Sequence, residues 1–161
     1  MSKAVPWFVA ACGIILVDQA TKWLVLARFA PGERRELTDF FNLVLVFNKG
    51  AAFSFLADAP GWQTPVLVTF ALGAALIVSV LLLRSTGRKL FSAGLALILG
   101  GALGNLVDRL RFGHVVDFVD LHAAGWHWPA FNVADSAITL GAALLILDGF
   151  MHHERRARAA Q

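Results

Sequence analysis

The stretch "TPVLVTFALGAALIVSVLLL", residues 64–83, contains no charged residue. A helix of about 20 apolar residues spans the ~30 Å hydrocarbon core of a bilayer. Inside lipid, only a helix or a closed barrel gives every backbone N–H and C=O a partner. Three further apolar runs of similar length follow the same logic, at about 5–27, 90–108 and 131–150. The expectation is an α-helical membrane protein with four transmembrane helices, forming one integral-membrane domain over residues 1–161. Composition agrees, because 58% of the chain is hydrophobic and only 16% charged, against about a quarter charged in soluble domains.

The connections orient the spans. "RSTGRK" joins the second and third with Arg84, Arg88 and Lys89, and the C-terminal tail adds Arg155, Arg156 and Arg158. With four spans these segments share a side with Lys3, and the positive-inside rule puts that side, and both termini, in the cytoplasm. Segments of about 28–63 and 110–130 then lie outside. In the first, "FFNLVLVFNKGAAFSFL" is a β-rich apolar run with a turn signal at Asn48–Lys49–Gly50, which predicts a short hairpin or small sheet at the membrane surface. In the second, Trp126 and Trp128 are aromatics of the kind that settle at headgroup level.

Several chemistries are disfavoured. The net charge is +3, and the basic residues form neither a stripe nor a stacking platform for nucleic acid. His114, His122 and His127 lack metal-ligand spacing, so no metal is expected. Ser54 and Ser136 have no evident base, no G-x-S-x-G occurs and no phosphate-binding glycine loop is present, so no cofactor is implied. "FVAACG" (8–13) has the look of a lipobox, but the apolar stretch before Cys12 is short and the span continues past it. A plain buried cysteine is the better reading.

Parity concentrates the polar residues. The first and third spans run outward and the fourth inward, so Asp18 and Lys22, then Asn105, Asp108 and Arg109, then Asn132 and Asp135 all reach one depth below the outer surface. The opposite halves carry almost none. Asp18–Lys22 are spaced i, i+4, and Asn105–Asp108 and Asn132–Asp135 i, i+3, so each pair shares a helical face. Gly100 and Gly104 form a GxxxG that admits close approach of another helix or of substrate backbone. Ion pairs that glue the bundle account for Asp18–Lys22 and Asp108–Arg109 as well as a functional role does. Asp135 has no basic residue within a helical turn. Facing another acid from "HVVDFVDLH", Asp117 or Asp120, it would share a proton and activate water, as aspartic proteases do. The alternative is an ion or proton path, in which intramembrane acids mark the route; the charge-free second span argues against it.

Five ordered blocks carry a resemblance: "DQATK" (18–22), "NKGAAFS" (48–54), "GGALGNLVDR" (100–109), "VVDFVD" (115–120) and "WPAFNVADSAI" (128–138). Together they resemble the lipoprotein signal peptidases, the signal peptidase II family, over nearly the whole chain. The resemblance implies an aspartyl endopeptidase of the bacterial cytoplasmic (inner) membrane. Such enzymes remove the signal peptide from prolipoproteins carrying diacylglycerol, cutting before the lipidated cysteine. It implies Asp117 and Asp135 as the catalytic dyad, with no metal or cofactor. Asp18, Lys22, Asn48, Gly50, Gly104, Asn105, Asp108, Arg109, Asn132 and Ala134 fall on positions that line or brace the site near the extracytoplasmic face. It further implies a β-cradle in the first outer segment and a mobile outer helix near 121–130. The partners it implies are lipid-modified prolipoproteins and membrane phospholipid, with neither nucleic acid nor an obligate protein partner.

Overall fold

The computed structural model describes residues 3–50, 61–85 and 87–159, with side chains described to residue 152. Its four helices are α1 (Val5–Leu26), α2 (Gln63–Arg84), α3 (Lys89–Phe112) and α4 (Val133–Ala159). Four strands lie between them: β1 (Arg34–Thr38), β2 (Phe41–Asn48), β3 (Val115–Ala123) and β4 (Trp126–His127). All four helices are long and apolar enough to cross a membrane. The shortest, at 22 residues, reach about 33 Å at ~1.5 Å per residue. The expected four-helix architecture with a small sheet is borne out.

The third helix is the axis of the bundle. Of the four it is the only one more than half buried along its span, and α1, α2 and α4 all pack on it. Lipid supplies no hydrophobic force between helices, so close packing of small residues must do so. A Cβ on Gly94 would lie 2.8 Å from the Gly141 carbonyl oxygen, and one on Gly141 would lie 2.7 Å from the Gly94 oxygen. The α3–α4 crossing is therefore a backbone-to-backbone contact. At the end of the bundle away from the sheet, Ala11, Leu82, Leu95 and Leu99 form an apolar core.

The sheet caps the other end in the order β1-β2-β3-β4, all antiparallel. A second core of Val25, Leu45, Val116 and Phe118 fastens it to the end of α1. In the β2–β3 register Asn42 opposes Asp120 and Val46 opposes Asp117, with an irregularity between these pairs.

Several expectations need correction. The described hairpin in the first outer segment joins β1 and β2 and turns at Asp39–Phe40, upstream of the turn expected at Asn48–Gly50. The expected continuation over 51–56 lies outside the described residues. Residues 121–130, expected as an outer helix, instead form the β3–β4 hairpin and an extended return. The reason is a two-residue turn in which Ala124 and Gly125 both have positive φ (49° and 81°), the combination that closes a tight hairpin and breaks a helix. The third helix continues one turn past the expected end, so Asp108 and Arg109 lie within it. The fourth begins after Asn132 rather than at Phe131 and runs on through the basic tail. Cys12 faces outward from α1 rather than into the bundle.

Candidate active site

The fourth helix opens on a reciprocal cap. The Asp135 backbone N–H donates to Asn132 Oδ1 (2.9 Å), and the Asn132 N–H donates to Asp135 Oδ2 (3.3 Å). This is a capping box with Asn and Asp in place of the usual pair. The four residues that start the helix thus also fix the Asp135 carboxylate, where the positive end of the helix favours negative charge. The other oxygen, Asp135 Oδ1, accepts from Asn105 Nδ2 on α3 (2.8 Å).

Asn132 also reaches the second acid. Its Nδ2 donates to Asp117 Oδ1 (2.7 Å), with longer contacts to Asn105 Oδ1 (3.2 Å) and the Val116 carbonyl (3.3 Å). Asp117 Oδ2 accepts from Asn48 Nδ2 at the end of β2 (3.1 Å). Two carboxylates from different elements are therefore held by one residue, Asp117 by the Asn132 side-chain amide and Asp135 by the Asn132 backbone N–H. Burial, reinforced by the nearby Asp135 charge, pushes the Asp117 pKa up to about 7 despite the bonds from Asn48 and Asn132.

Beneath the pair lies a buried charge cluster. Lys22 Nζ donates to Asp18 Oδ2 (2.8 Å), Asp108 Oδ2 (2.8 Å) and Asn105 Oδ1 (2.9 Å), using all three of its protons. All four side chains are buried. The Asp18 and Asp108 carboxylates also bind backbone, taking the Ala134 N–H (2.9 Å) and the Val116 N–H (3.1 Å) respectively. One ammonium group thereby couples α1 and α3 to the starts of α4 and β3. Gly104 makes room for it, since a Cβ there would lie 2.7 Å from Asp18 Oδ2. Ala134 is fully buried at the same junction. The glycines of the GxxxG serve helix packing: a Cβ on Gly100 would meet the Ala11 carbonyl of α1 at 2.8 Å.

Arg109 does not pair with Asp108. Its guanidinium donates to the Gly50 carbonyl (2.9 Å), while the Gly50 N–H donates to Asn48 Oδ1 (2.9 Å). These bonds hold the end of β2 against α3. Adjacent residues on a helix do not face each other, which is why the expected Asp108–Arg109 pair is absent.

The expected acid pair and the ten residues expected to line or brace it thus come together at the sheet end of the bundle. Asp120 does not join them. It lies three positions after Asp117 on β3, an odd spacing that turns its side chain to the other face of the strand. There it accepts from Asn42 Nδ2 (2.8 Å) and bonds His127 Nδ1 (2.9 Å), with Arg34 Nε at 3.5 Å. Burial works against its charge, but Asn42, His127 and Arg34 outweigh that and hold its pKa below the usual range.

A cavity of about 800 Å³ opens beside Asp135, with Asp117 held behind its lining through Asn132 and Asn48. Asn48, Asn105, Arg109 and Asp135 form its polar end. From there it runs between α2 (Leu67, Ala71) and α4 (Ile138, Thr139, Leu140, Ala143), a largely apolar groove roughly 12 Å long at ~1.5 Å per residue of α4. The segment Trp128–Phe131 forms its wall at the sheet end. Such an arrangement can hold an apolar helix or extended segment with one peptide group beside the Asp135 carboxylate.

Sequence comparison gives this geometry a family. The family model for Signal peptidase (SPase) II matches residues 10–151. The chain belongs to the signal peptidase II family. It is 58% identical to the lipoprotein signal peptidase of Paraburkholderia phytofirmans over 89% of this chain and 83% of that protein. With the lipoprotein signal peptidase of Burkholderia thailandensis it shares 54% identity over 97% and 92% of the two chains. A solved structure described as a bacterial membrane enzyme, determined by the in meso method at 2.3 Å resolution, superposes with a TM-score of 0.84 at 26% identity. That match covers 93% of this chain and 90% of the other. Signal peptidase II membership makes the chain a protease, and its four helices make it a multi-pass bacterial membrane protein.

Sequence reasoning missed three parts of the arrangement. Gln19 bonds Asp18 (3.2 Å), the Gly104 carbonyl (3.1 Å) and Asp108 (2.8 Å); a second polar residue beside Asp18 in an apolar span was the available signal. The Asn42–Asp120–His127 cluster depends on strand pairing across distant segments and left no local signal. The far end of the bundle is also less bare than expected, because buried Asp148 on α4 pairs with Arg88.

Proposed function

We propose that this signal peptidase II family member is an aspartyl endopeptidase that removes the signal peptide from diacylglyceryl-modified prolipoproteins, cutting before the lipidated cysteine. The observation that carries the reading is the pair of carboxylates, Asp117 and Asp135, held through one asparagine, with Asp135 at the polar end of an apolar groove. One carboxylate takes a proton from water, and the resulting nucleophile attacks the scissile carbonyl carbon. The protonated partner gives its proton to the carbonyl oxygen. Collapse of the tetrahedral intermediate then breaks the C–N bond and returns a proton to the leaving amine. Asp18, Lys22, Gly104, Asn105, Asp108, Asn132 and Ala134 hold the acids in register, while Asn48, Gly50 and Arg109 fix the rim. No metal or cofactor enters this scheme.

The substrate suits the groove. A lipidated signal peptide is itself a membrane helix, and it reaches the dyad sideways between α2 and α4, from the surrounding phospholipid. On this reading both termini are cytoplasmic, the sheet and dyad lie at the extracytoplasmic face, and the chain works as one integral-membrane domain without an obligate protein partner.

The test is cleavage of a diacylglyceryl-modified prolipoprotein by purified protein in detergent. Wild type is expected to release the signal peptide before the modified cysteine. Asp117→Asn and Asp135→Asn, folded by thermal melt and circular dichroism, are each expected to lose at least a thousandfold in kcat. Near-normal turnover in either variant would overturn the dyad, and an inert wild type would overturn the assignment of substrate.

A further inference from the structure

The face of the sheet turned away from the two acids carries a second polar cluster that the reaction does not use. Three strands converge on one carboxylate there: Asn42 of β2 donates to Asp120 Oδ2 (2.8 Å), His127 of β4 bonds both oxygens (2.9 and 3.1 Å), and Arg34 of β1 approaches at 3.5 Å. Asp120 is buried, whereas the His127 and Arg34 side chains are partly exposed. His127 also stacks on His122, with ring centroids 5.0 Å apart.

What this cluster holds is the groove wall. The fourth strand is only two residues long, pairing His122 with His127 and Ala123 with Trp126. A hairpin of that size is marginal without outside support. Beyond it, the Trp128 N–H donates to the Leu121 carbonyl (2.8 Å), and Phe131 exchanges backbone bonds with Val119 (2.8 and 3.0 Å). Between these anchors stand Pro129, which has no N–H to give, and Ala130. The stretch Trp128–Phe131 is the part that lines the cavity. His127 is therefore the side-chain pin at the hinge of the wall.

We propose that the Asp120–His127 pair is a positioning device for substrate: it tethers β4 so that Trp128–Phe131 closes the sheet end of the groove. This rests on the reading of the groove as the substrate path. His127 touches neither acid, so its loss acts on how substrate is held rather than on the bond-breaking step.

The experiment compares wild type, His127→Ala and His127→Gln, each as full-length protein in detergent. Steady-state cleavage of a diacylglyceryl-modified prolipoprotein gives one readout, and hydrogen–deuterium exchange over residues 119–131 without substrate gives the other. His127→Ala is expected to raise KM about tenfold with kcat within about twofold, and to speed exchange at the Trp128 and Phe131 amides. His127→Gln, which can still donate to Asp120, is expected to restore both. Unchanged exchange in His127→Ala overturns the tether. A fall in kcat at constant KM overturns the positioning role in favour of a direct one. If wild type is inert while the exchange difference persists, the substrate assignment fails and the tether stands.

Discussion

Lys22 shows how much one residue can carry. Its ammonium is buried against two carboxylates and an amide, so desolvation is offset only while all three partners are present. Lys22→Met leaves Asp18 and Asp108 facing each other without a cation. We expect a loss of about 3–5 kcal/mol, typical of breaking a buried pair from one side, read as a lowered melting temperature in detergent together with loss of cleavage. Asp117 sets the pH behaviour. Its carboxyl is pushed up to about 7 by burial and by Asp135, so it keeps its proton through mildly acid conditions. The proposed mechanism needs one proton on the pair, and kcat/KM should fall as pH rises through about 7, measured between pH 5.5 and 9. Stability follows the same sign. The folded state holds this proton more tightly than the unfolded chain, so the contribution is complete below the ordinary aspartate range and is lost as pH rises through about 7. Asp117→Asn should remove that slope from the melting temperature.

The elements differ in how openly the sequence announces them. The helices were legible because lipid forces long apolar runs, and the shared depth of Asp18, Asn105 and Asp135 followed from counting crossings. The "NVADS" cap was visible as a spacing, although its link to Asp117 was not. The third strand was hidden, because "VVDFVD" is buried on both faces and shows no alternation, and its partner β2 lies some seventy residues earlier. The turn at Ala124–Gly125 was misread for a related reason: alanine gives no turn signal, yet it adopts a positive φ here. The crossing of α3 on α4 at Gly94 and Gly141 makes a prediction at this scale. Gly141→Val must push the helices apart at a backbone contact. It should cost about 1–3 kcal/mol, the usual range for overpacking, and shift the thermal melt. The same change at Gly149, where nothing lies within 4 Å of a Cβ, should shift it far less.

For the molecule as a whole, the division of labour is between a rigid corner and an open side. The corner is formed by α1, α3 and the starts of β3 and α4, all tied to Lys22. The open side is the groove between α2 and α4, whose lower part is lined by Ala71 and Ala143. Ala143→Trp should fill that part, lower kcat/KM for the lipidated substrate by about tenfold or more, and leave the thermal melt nearly unchanged. A drop in melting temperature with unaltered kinetics would mean that the lower groove packs protein rather than substrate. The Lys22 corner has a further bearing on how the chain is made. Its charged groups come from the first helix and the third, and the last helix joins only through the Ala134 amide on Asp18, so the corner is completed late in synthesis. Asp135 and the Ala134 amide are the final pieces to arrive. Until the fourth helix has entered the bilayer Asp135 cannot join Asp117, so on the proposed reading the chain is unable to cut while its own helices are still being inserted.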